Sequence, residues 1–124
     1  MEEKDPLTEL VIGAAIEVHR LMGPGLLESV YQRCMEEELR LRDCPAERQV
    51  RIPLLYKGVE IGDDLVMDLF FPGRLVVELK AVEKLIPIHE AQLLTYLRLS
   101  KSRVGLMINF NVPVLVHGLK RMVL

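Results

Sequence analysis

The chain has 124 residues, of which 50% are hydrophobic and 27% are charged, and its formal net charge is −2. This length and balance predict a single globular domain over residues 1–124. They exclude a disordered linker protein and a strongly basic protein that coats nucleic acid. No apolar stretch approaches the ~20 residues of a membrane span, and the acidic start lacks the basic-then-apolar order of a secretory signal. The two cysteines, Cys34 and Cys44, form no CxxC pair. Because the chain has so few thiols, no export signal and no apolar span, we expect a cytoplasmic protein with no membrane segment.

The first third of the chain is predicted to form two helices. Asp5-Pro6 is typical of a helix start, apolar residues recur behind it at helical spacing, and Gly23-Pro24-Gly25 ends the segment. A second helix is predicted over about residues 26–42. Glu28 lies on the edge of the apolar stripe of this second helix, where a carboxylate needs a partner such as a metal centre. Alternatively, Glu28 only stabilises the positive end of the helix dipole.

The middle of the chain favours three strands, over residues 48–56, 65–71 and 75–82. Strict alternation in the second strand puts Met67 and Leu69 on one face and Asp68 on the other. In the third strand, Glu78 and Lys80 share one face, and the opposite face is wholly apolar. That pattern indicates a central strand covered on both sides, where an unpaired charge costs several kcal/mol.

The turn between the second and third strands decides whether Asp68 and Glu78 meet. A two-residue loop at Pro72-Gly73 would leave them on opposite faces, whereas a three-residue loop would pair them directly. Proline followed by glycine suits turn types that fit two-residue hairpins poorly. We therefore expect a three-residue loop or a bulge, with Asp68, Glu78 and Lys80 on one face.

Two carboxylates and a lysine in such a place have two interpretations. Carboxylates that approach each other repel unless a cation lies between them, and their oxygens are ligands that suit Mg²⁺ or Mn²⁺. A neighbouring lysine can stabilise negative charge that develops on a phosphate. The alternative is an ordinary ion pair between Lys80 and either Asp68 or Glu78.

The last third of the chain begins with a third predicted helix, over residues 87–99. His89, Gln92 and Tyr96 fall on one face of this helix, which indicates either an internal hydrogen-bond network or a site. Late strands are predicted over residues 104–110 and 114–116, so the complete order is α-α-β-β-β-α-β-β. This order predicts a layered α/β or α+β domain.

Three motifs together carry a resemblance to a known family. Asp68, followed ten residues later by Glu78-Leu79-Lys80, resembles the D-x(n)-E-x-K signature of the PD-(D/E)XK nuclease superfamily. The stretch 25–31 reads G-x-x-E-x-x-Y, and the stretch 92–96 reads Q-x-x-x-Y, in the order that the superfamily uses. Over nearly its whole length, the chain resembles the small bacterial and archaeal GxxExxY proteins.

The resemblance implies a restriction-endonuclease-like core, which is a mixed central sheet flanked by helices. It also implies that Asp68 and Glu78 are metal ligands, with Mg²⁺ or Mn²⁺ as the cofactor. Lys80 is then the catalytic lysine, and Glu28 is an additional acidic ligand or a partner of metal-bound water. The residues implied to support the site or to contact the substrate are Gln92, Tyr96 and Tyr31.

These patterns lead to two hypotheses about function. The first is a divalent-metal-dependent nuclease that hydrolyses phosphodiester bonds in nucleic acid, with DNA favoured over RNA as the substrate. The second is a nuclease-like binding or assembly module with little or no catalysis. The small size and slightly acidic charge of the chain favour a homodimer or a protein partner under either hypothesis.

Overall fold

A computed structural model describes residues 5–124 of the chain. Residues 1–4, on which part of the expectation about a secretory signal was based, lie outside the described residues. The elements in chain order are α1 (Pro6–Met22), α2 (Glu28–Leu41), β1 (Glu47–Tyr56), β2 (Val59–Phe71), β3 (Leu75–Lys80), α3 (Pro87–Ser100), β4 (Val104–Asn109), a short 3-10 helix (Leu115–Gly118) and β5 (Leu119–Val123).

The five strands form one mixed sheet in the order β1-β2-β3-β4-β5. Strands β3 and β4 run parallel, and the other neighbouring pairs run antiparallel. Helix α3 makes the crossover between β3 and β4, as a parallel pair requires. This mixed sheet, flanked by helices, confirms the predicted α/β class and is consistent with a restriction-endonuclease-like fold.

Both faces of the sheet are covered by helices. Val77 and Leu79 of β3 pack in a core with α1 and α2, whereas Val76 packs with α3 in a second core. Residues Leu75–Leu79 of β3 are therefore all buried, and this confirms the prediction of a central strand. None of the helices formed by residues 5–124 combines the length and the apolar character that a bilayer-spanning segment needs.

The hairpin between β2 and β3 has the predicted three-residue loop. Phe71 pairs with Leu75, so residues 72–74 form the loop and the register places Asp68 opposite Glu78. The prediction of strict alternation in β2 was wrong, however. Met67 packs on the α3 side of the sheet, but Leu69 packs on the side of α1 and α2. The alternation of side chains between the two faces of the sheet therefore breaks at Asp68, because the regular pairing of β2 with both β1 and β3 is interrupted there.

The end of the chain also differs from the prediction. The stretch 114–116 does not form a strand; the 3-10 helix begins at Leu115, and the last strand is β5. Two adjacent cations, Lys120 and Arg121, weaken the apolar signal of β5, which lies at the exposed edge of the sheet. The turn before β5 needs Gly118, since a Cβ atom there would collide with the carbonyl oxygen of Asn109.

Several boundaries shift by a few residues. Helix α2 begins at Glu28 rather than at residue 26, β2 begins at Val59 rather than at residue 65, and β3 ends at Lys80. The early start of β2 lengthens its hairpin with β1. The end of this hairpin carries four large apolar side chains that are 62–68% exposed: Leu55, Tyr56, Val59 and Ile61.

Candidate active site

The centre of the candidate site lies where β2 and β3 separate. Beyond the pair of Leu69 and Val77, side chains replace the backbone ladder. The Asp68 N–H donates a hydrogen bond to Oε2 of Glu78 at 2.9 Å. The Leu79 N–H donates to Oδ2 of Asp68 at 2.8 Å. Each carboxylate therefore accepts a hydrogen bond from the backbone of the other strand, and this exchange holds the two acidic side chains together.

Burial sets the electrostatics of these carboxylates. Glu78 is only 4% exposed, and its desolvation, together with the negative charge of Asp68, raises its pKa well above the usual range. Burial also raises the pKa of Asp68, although hydrogen bonds from Leu79 and Gln49 oppose the shift. Full ionisation of the pair is unfavourable because two negative charges would lie side by side, that of Glu78 being almost fully removed from solvent. A cation between the two carboxylates would remove this cost.

Glu28, the first residue of α2, faces the same region. The residue is solvent-exposed overall, yet partial burial of its carboxyl group and the charge of Asp68 raise its pKa, while Lys80 lowers it. Glu28 and Asp68 line one pocket of about 470 Å³. The other residues that line this pocket are Ser29, Gln32, Arg33, Glu36, Arg48 and Gln49.

Lys80 and two residues of α3 complete the surroundings. Nζ of Lys80 donates to Oε1 of Gln92 at 3.4 Å, and within residues 5–124 it forms no ion pair with Asp68 or Glu78. The alternative prediction of an ordinary Lys80–carboxylate ion pair is therefore wrong. Tyr96 is buried, and desolvation together with the charges of Glu78 and Asp68 raises its pKa to about 12. Its hydroxyl group thus stays protonated at neutral pH.

Tyr31 lies in the core rather than beside the carboxylates. Its hydroxyl donates to the carbonyl oxygen of Gly23 at 2.6 Å and accepts from the Leu26 N–H at 3.1 Å. Its fully buried ring stacks on that of Phe110, with 4.4 Å between the ring centroids. Tyr31 therefore holds the loop that leads into α2, and this loop sets the position of Glu28, the first residue of the helix.

His89 of the polar group on α3 has a local structural partner. Its Nδ1 accepts a hydrogen bond from the Ile86 N–H at 3.1 Å, at the start of the helix. This contact caps α3 and satisfies a backbone donor that has no partner inside the helix. His89 is thus accounted for by helix capping, in contrast to Gln92 and Tyr96.

Sequence reasoning missed two glutamines that contact Asp68. Nε2 of Gln32 donates to the carbonyl oxygen of Asp68 at 2.9 Å, and Nε2 of Gln49 donates to its Oδ1 at 3.3 Å. Gln32 follows Glu28 by one helical turn, so the helix period could have pointed to it. No pattern points to Gln49, because its strand is edge-exposed and its partner is distant in sequence.

The donor set suits a hard divalent cation, although it is sparse. Across residues 5–124, no cluster of three or more His, Cys, Asp or Glu side chains is arranged to hold a metal ion. Mg²⁺, however, is usually bound through one or two protein carboxylates and several waters. Glu78, which is buried, and Asp68, which is half-buried, offer two carboxylates of this kind, with Glu28 at the rim of the pocket. The residues therefore fit Mg²⁺ or Mn²⁺ and do not fit a soft metal, since no thiol or imidazole joins them.

The fold and this acidic pair define a class of protein, the restriction-endonuclease-like domains. The model of the PD-(D/E)XK nuclease superfamily matches residues 5–122, so the chain belongs to this superfamily. Membership points to metal-dependent nuclease activity and to nucleic acid as the binding partner. Comparison with curated proteins and comparison with solved structures each found no match.

Proposed function

We propose that this protein is a divalent-metal-dependent nuclease that hydrolyses phosphodiester bonds in nucleic acid, with DNA favoured over RNA. The observation that carries the proposal is the exchange of hydrogen bonds between Asp68 and Glu78 where β2 and β3 separate. The exchange keeps the buried Glu78 and the half-buried Asp68 together although desolvation of such groups is costly, and superfamily membership supports a catalytic reason for retaining them.

Within the superfamily, we assign the chain to the GxxExxY proteins. The support is the spacing of Gly25, Glu28 and Tyr31 and the use that the fold makes of it. Tyr31 holds the loop before α2, and Glu28 at the start of α2 shares a pocket with Asp68. The two free thiols, Cys34 and Cys44, support a reducing cytoplasm as the location.

The residues take distinct roles in the proposed reaction. Asp68 and Glu78 hold Mg²⁺ or Mn²⁺, with Glu28 as a third acidic ligand or a partner of its waters. Such an ion supplies Lewis acidity at the scissile phosphate and lowers the pKa of water. Lys80 stabilises the negative charge that develops on the phosphate, and its contact with Gln92 orients the amine. Tyr96 serves as a neutral hydrogen-bonding group; burial and the nearby charges of Glu78 and Asp68 raise its pKa to about 12, further from neutral pH than that of an ordinary tyrosine.

The proposal is tested by cleavage assays with purified protein, Mg²⁺ or Mn²⁺, and single- and double-stranded DNA and RNA. Asp68→Asn and Lys80→Ala should each abolish cleavage. Asp63→Asn makes the same chemical change at an exposed position of β2, and Lys57→Ala removes an exposed lysine at the hairpin end, so both controls should cleave normally. Cleavage that survives both Asp68→Asn and Lys80→Ala would reveal a contaminating nuclease and would refute the assignment.

A second candidate function is a nuclease-like binding or assembly module that works as a homodimer or with another protein. It is favoured by the four exposed apolar side chains at the end of the β1–β2 hairpin, since such patches mark contact surfaces. Titration calorimetry separates the two candidates. Uptake of Mg²⁺ or Mn²⁺ by the wild-type protein, lost in Asp68→Asn, supports the nuclease. A folded wild-type protein that binds neither ion supports the module.

A further inference from the structure

Every polar group of Asp68 is engaged in a hydrogen bond. Its N–H donates to Glu78, and its Oδ2 accepts from the Leu79 N–H, both across to β3. Its carbonyl oxygen accepts from Gln32 of α2, and its Oδ1 accepts from Gln49 of β1. Three neighbouring elements thus fix one aspartate, and both the backbone and the carboxylate are restrained.

Gln49 contacts Asp68 from an unusual backbone conformation. Its φ is +49°, in the left-handed region that residues other than glycine and asparagine rarely adopt. The β1–β2 pairs on either side, Arg48 with Leu69 and Val50 with Met67, put Gln49 opposite Asp68 in register. Backbone strain of this kind clusters at functional sites, and Gln49 makes its contact with the carboxylate from this strained position.

Gln32 restrains the backbone of Asp68 from the helix side. The residue is 8% exposed, and its Nε2 also donates to Oε2 of Glu36 at 2.8 Å. Its Oε1 is buried without any partner within the described residues. A buried oxygen without a hydrogen bond is destabilising, so a well-packed apolar side chain would serve the core better. What the amide provides is the bridge from α2 to Asp68, one turn after Glu28.

We propose that Gln32 and Gln49 form a glutamine clamp, a pair of positioning residues that fix Asp68 for metal binding and catalysis. Gln49 sets the rotation of the carboxylate so that Oδ2 keeps its bond with the Leu79 N–H and faces Glu78. Gln32 sets the distance between α2 and β2, and thus the distance between Glu28 and Asp68. The inference rests on the proposed nuclease function for its catalytic part only.

The clamp predicts a specific loss when either amide is removed. Residues that orient metal ligands typically contribute about 10- to 100-fold to metal affinity or activity. Gln49→Gly removes the amide and also relieves the left-handed strain, so the folded state should be as stable as the wild type or more stable. Gln32→Met keeps the volume; removal of the orphaned oxygen opposes the loss of the donor to the Asp68 carbonyl oxygen, so its melting temperature should stay close to that of the wild type. In both variants, kcat should fall about 10- to 100-fold with little change in KM.

The control and the first measurement separate positioning from backbone effects. Lys57 has a φ of +51°, nearly that of Gln49, and lies at the hairpin end far from Asp68 in register, so Lys57→Gly makes the same backbone change without touching the site. Amide hydrogen exchange by NMR then reports on the Leu79 N–H in each full-length variant without added metal. Exchange at Leu79 should be faster in Gln49→Gly than in the wild type and unchanged in Lys57→Gly, because only the former frees Asp68 to rotate.

Failure of the clamp and failure of the nuclease proposal give different results. Unchanged Leu79 exchange and unchanged Mn²⁺ affinity in Gln49→Gly would overturn the clamp, whether or not the protein cleaves nucleic acid. Faster Leu79 exchange in Gln49→Gly, together with absence of cleavage by the wild type, would support positioning by Gln49 and refute the nuclease function. Loss of cleavage in Lys57→Gly as large as in Gln49→Gly would assign the effect to the hairpin and would also overturn the clamp.

Discussion

Replacing Glu78 with glutamine should stabilise the metal-free protein, and the gain should increase with pH. Glu78 is 4% exposed, and its environment includes Asp68 on β2, Glu28 on α2, Lys80 on β3 and Tyr96 on α3. Burial and the charges of Asp68 and Glu28 outweigh Lys80 and the bond from the Asp68 N–H, so the pKa of Glu78 is raised. Glutamine has nearly the same shape, and its carbonyl oxygen can still accept from the Asp68 N–H.

The sign of this stability difference and its slope with pH follow from proton linkage. Because the pKa of Glu78 is higher in the folded than in the unfolded state, the folded protein keeps a proton that the unfolded chain has already lost. The free energy of unfolding therefore falls as pH rises from about 4.5 towards the raised folded pKa. One proton corresponds to about 1.4 kcal/mol per pH unit across this window. The variant has no such titration, so its advantage over the wild type should grow with about that slope and vanish below the window.

The measurement is urea denaturation of both proteins in EDTA at a series of pH values from the acidic range to pH 8. Subtracting the two curves removes the titrations that they share. Glu60→Gln, at an exposed position of β2, makes the same chemical change away from the site and is the matched control. A difference between wild type and Glu78→Gln that stays flat across the pH series would refute the assignment of a buried, destabilised carboxylate.

Four further predictions concern metal binding, the loop before α2, the turn before β5 and a glycine inside α1. In thermal unfolding, Mn²⁺ at 100 times its dissociation constant should stabilise the wild type by about 2.7 kcal/mol and should not stabilise Asp68→Asn. Equal stabilisation of the two proteins would place the ion elsewhere. Tyr31→Phe removes two hydrogen bonds of a buried hydroxyl and should lower the free energy of unfolding, measured by urea denaturation, by about 1–3 kcal/mol. A decrease below ~0.5 kcal/mol would contradict the role of Tyr31 in the loop. Gly118→Ala should lower the free energy of unfolding by roughly 1–3 kcal/mol, because the new Cβ would collide with the carbonyl oxygen of Asn109. In Gly13→Ala, the new Cβ would lie 3.2 Å from the flexible end of Arg42, and the same urea assay should show a gain of about 0.5–1 kcal/mol.

Local chemistry was sufficient to predict several parts of this protein. Asp5 caps α1 as predicted, with Oδ1 accepting from the Leu7 N–H at 3.3 Å, and Pro87 begins α3. The three-residue loop after β2 follows from the turn preference of Pro72-Gly73. These features depend on neighbouring residues alone, and the same holds for the spacing of the three motifs that resemble the nuclease superfamily.

The surroundings of Asp68 depend on contacts that no local pattern contains. Alternation predicted the wrong face for the residues beside it, because the β-ladder is broken there and carboxylates replace its hydrogen bonds. Gln32 and Gln49 are 36 and 19 residues away from Asp68 along the chain, so only the packing of α2 and β1 against β2 brings their amides to it. Short-range preferences therefore set the helices, the turns and the candidate residue types. Long-range packing sets which groups surround the central aspartate, since burial and hydrogen bonding between distant segments exist only in the folded chain.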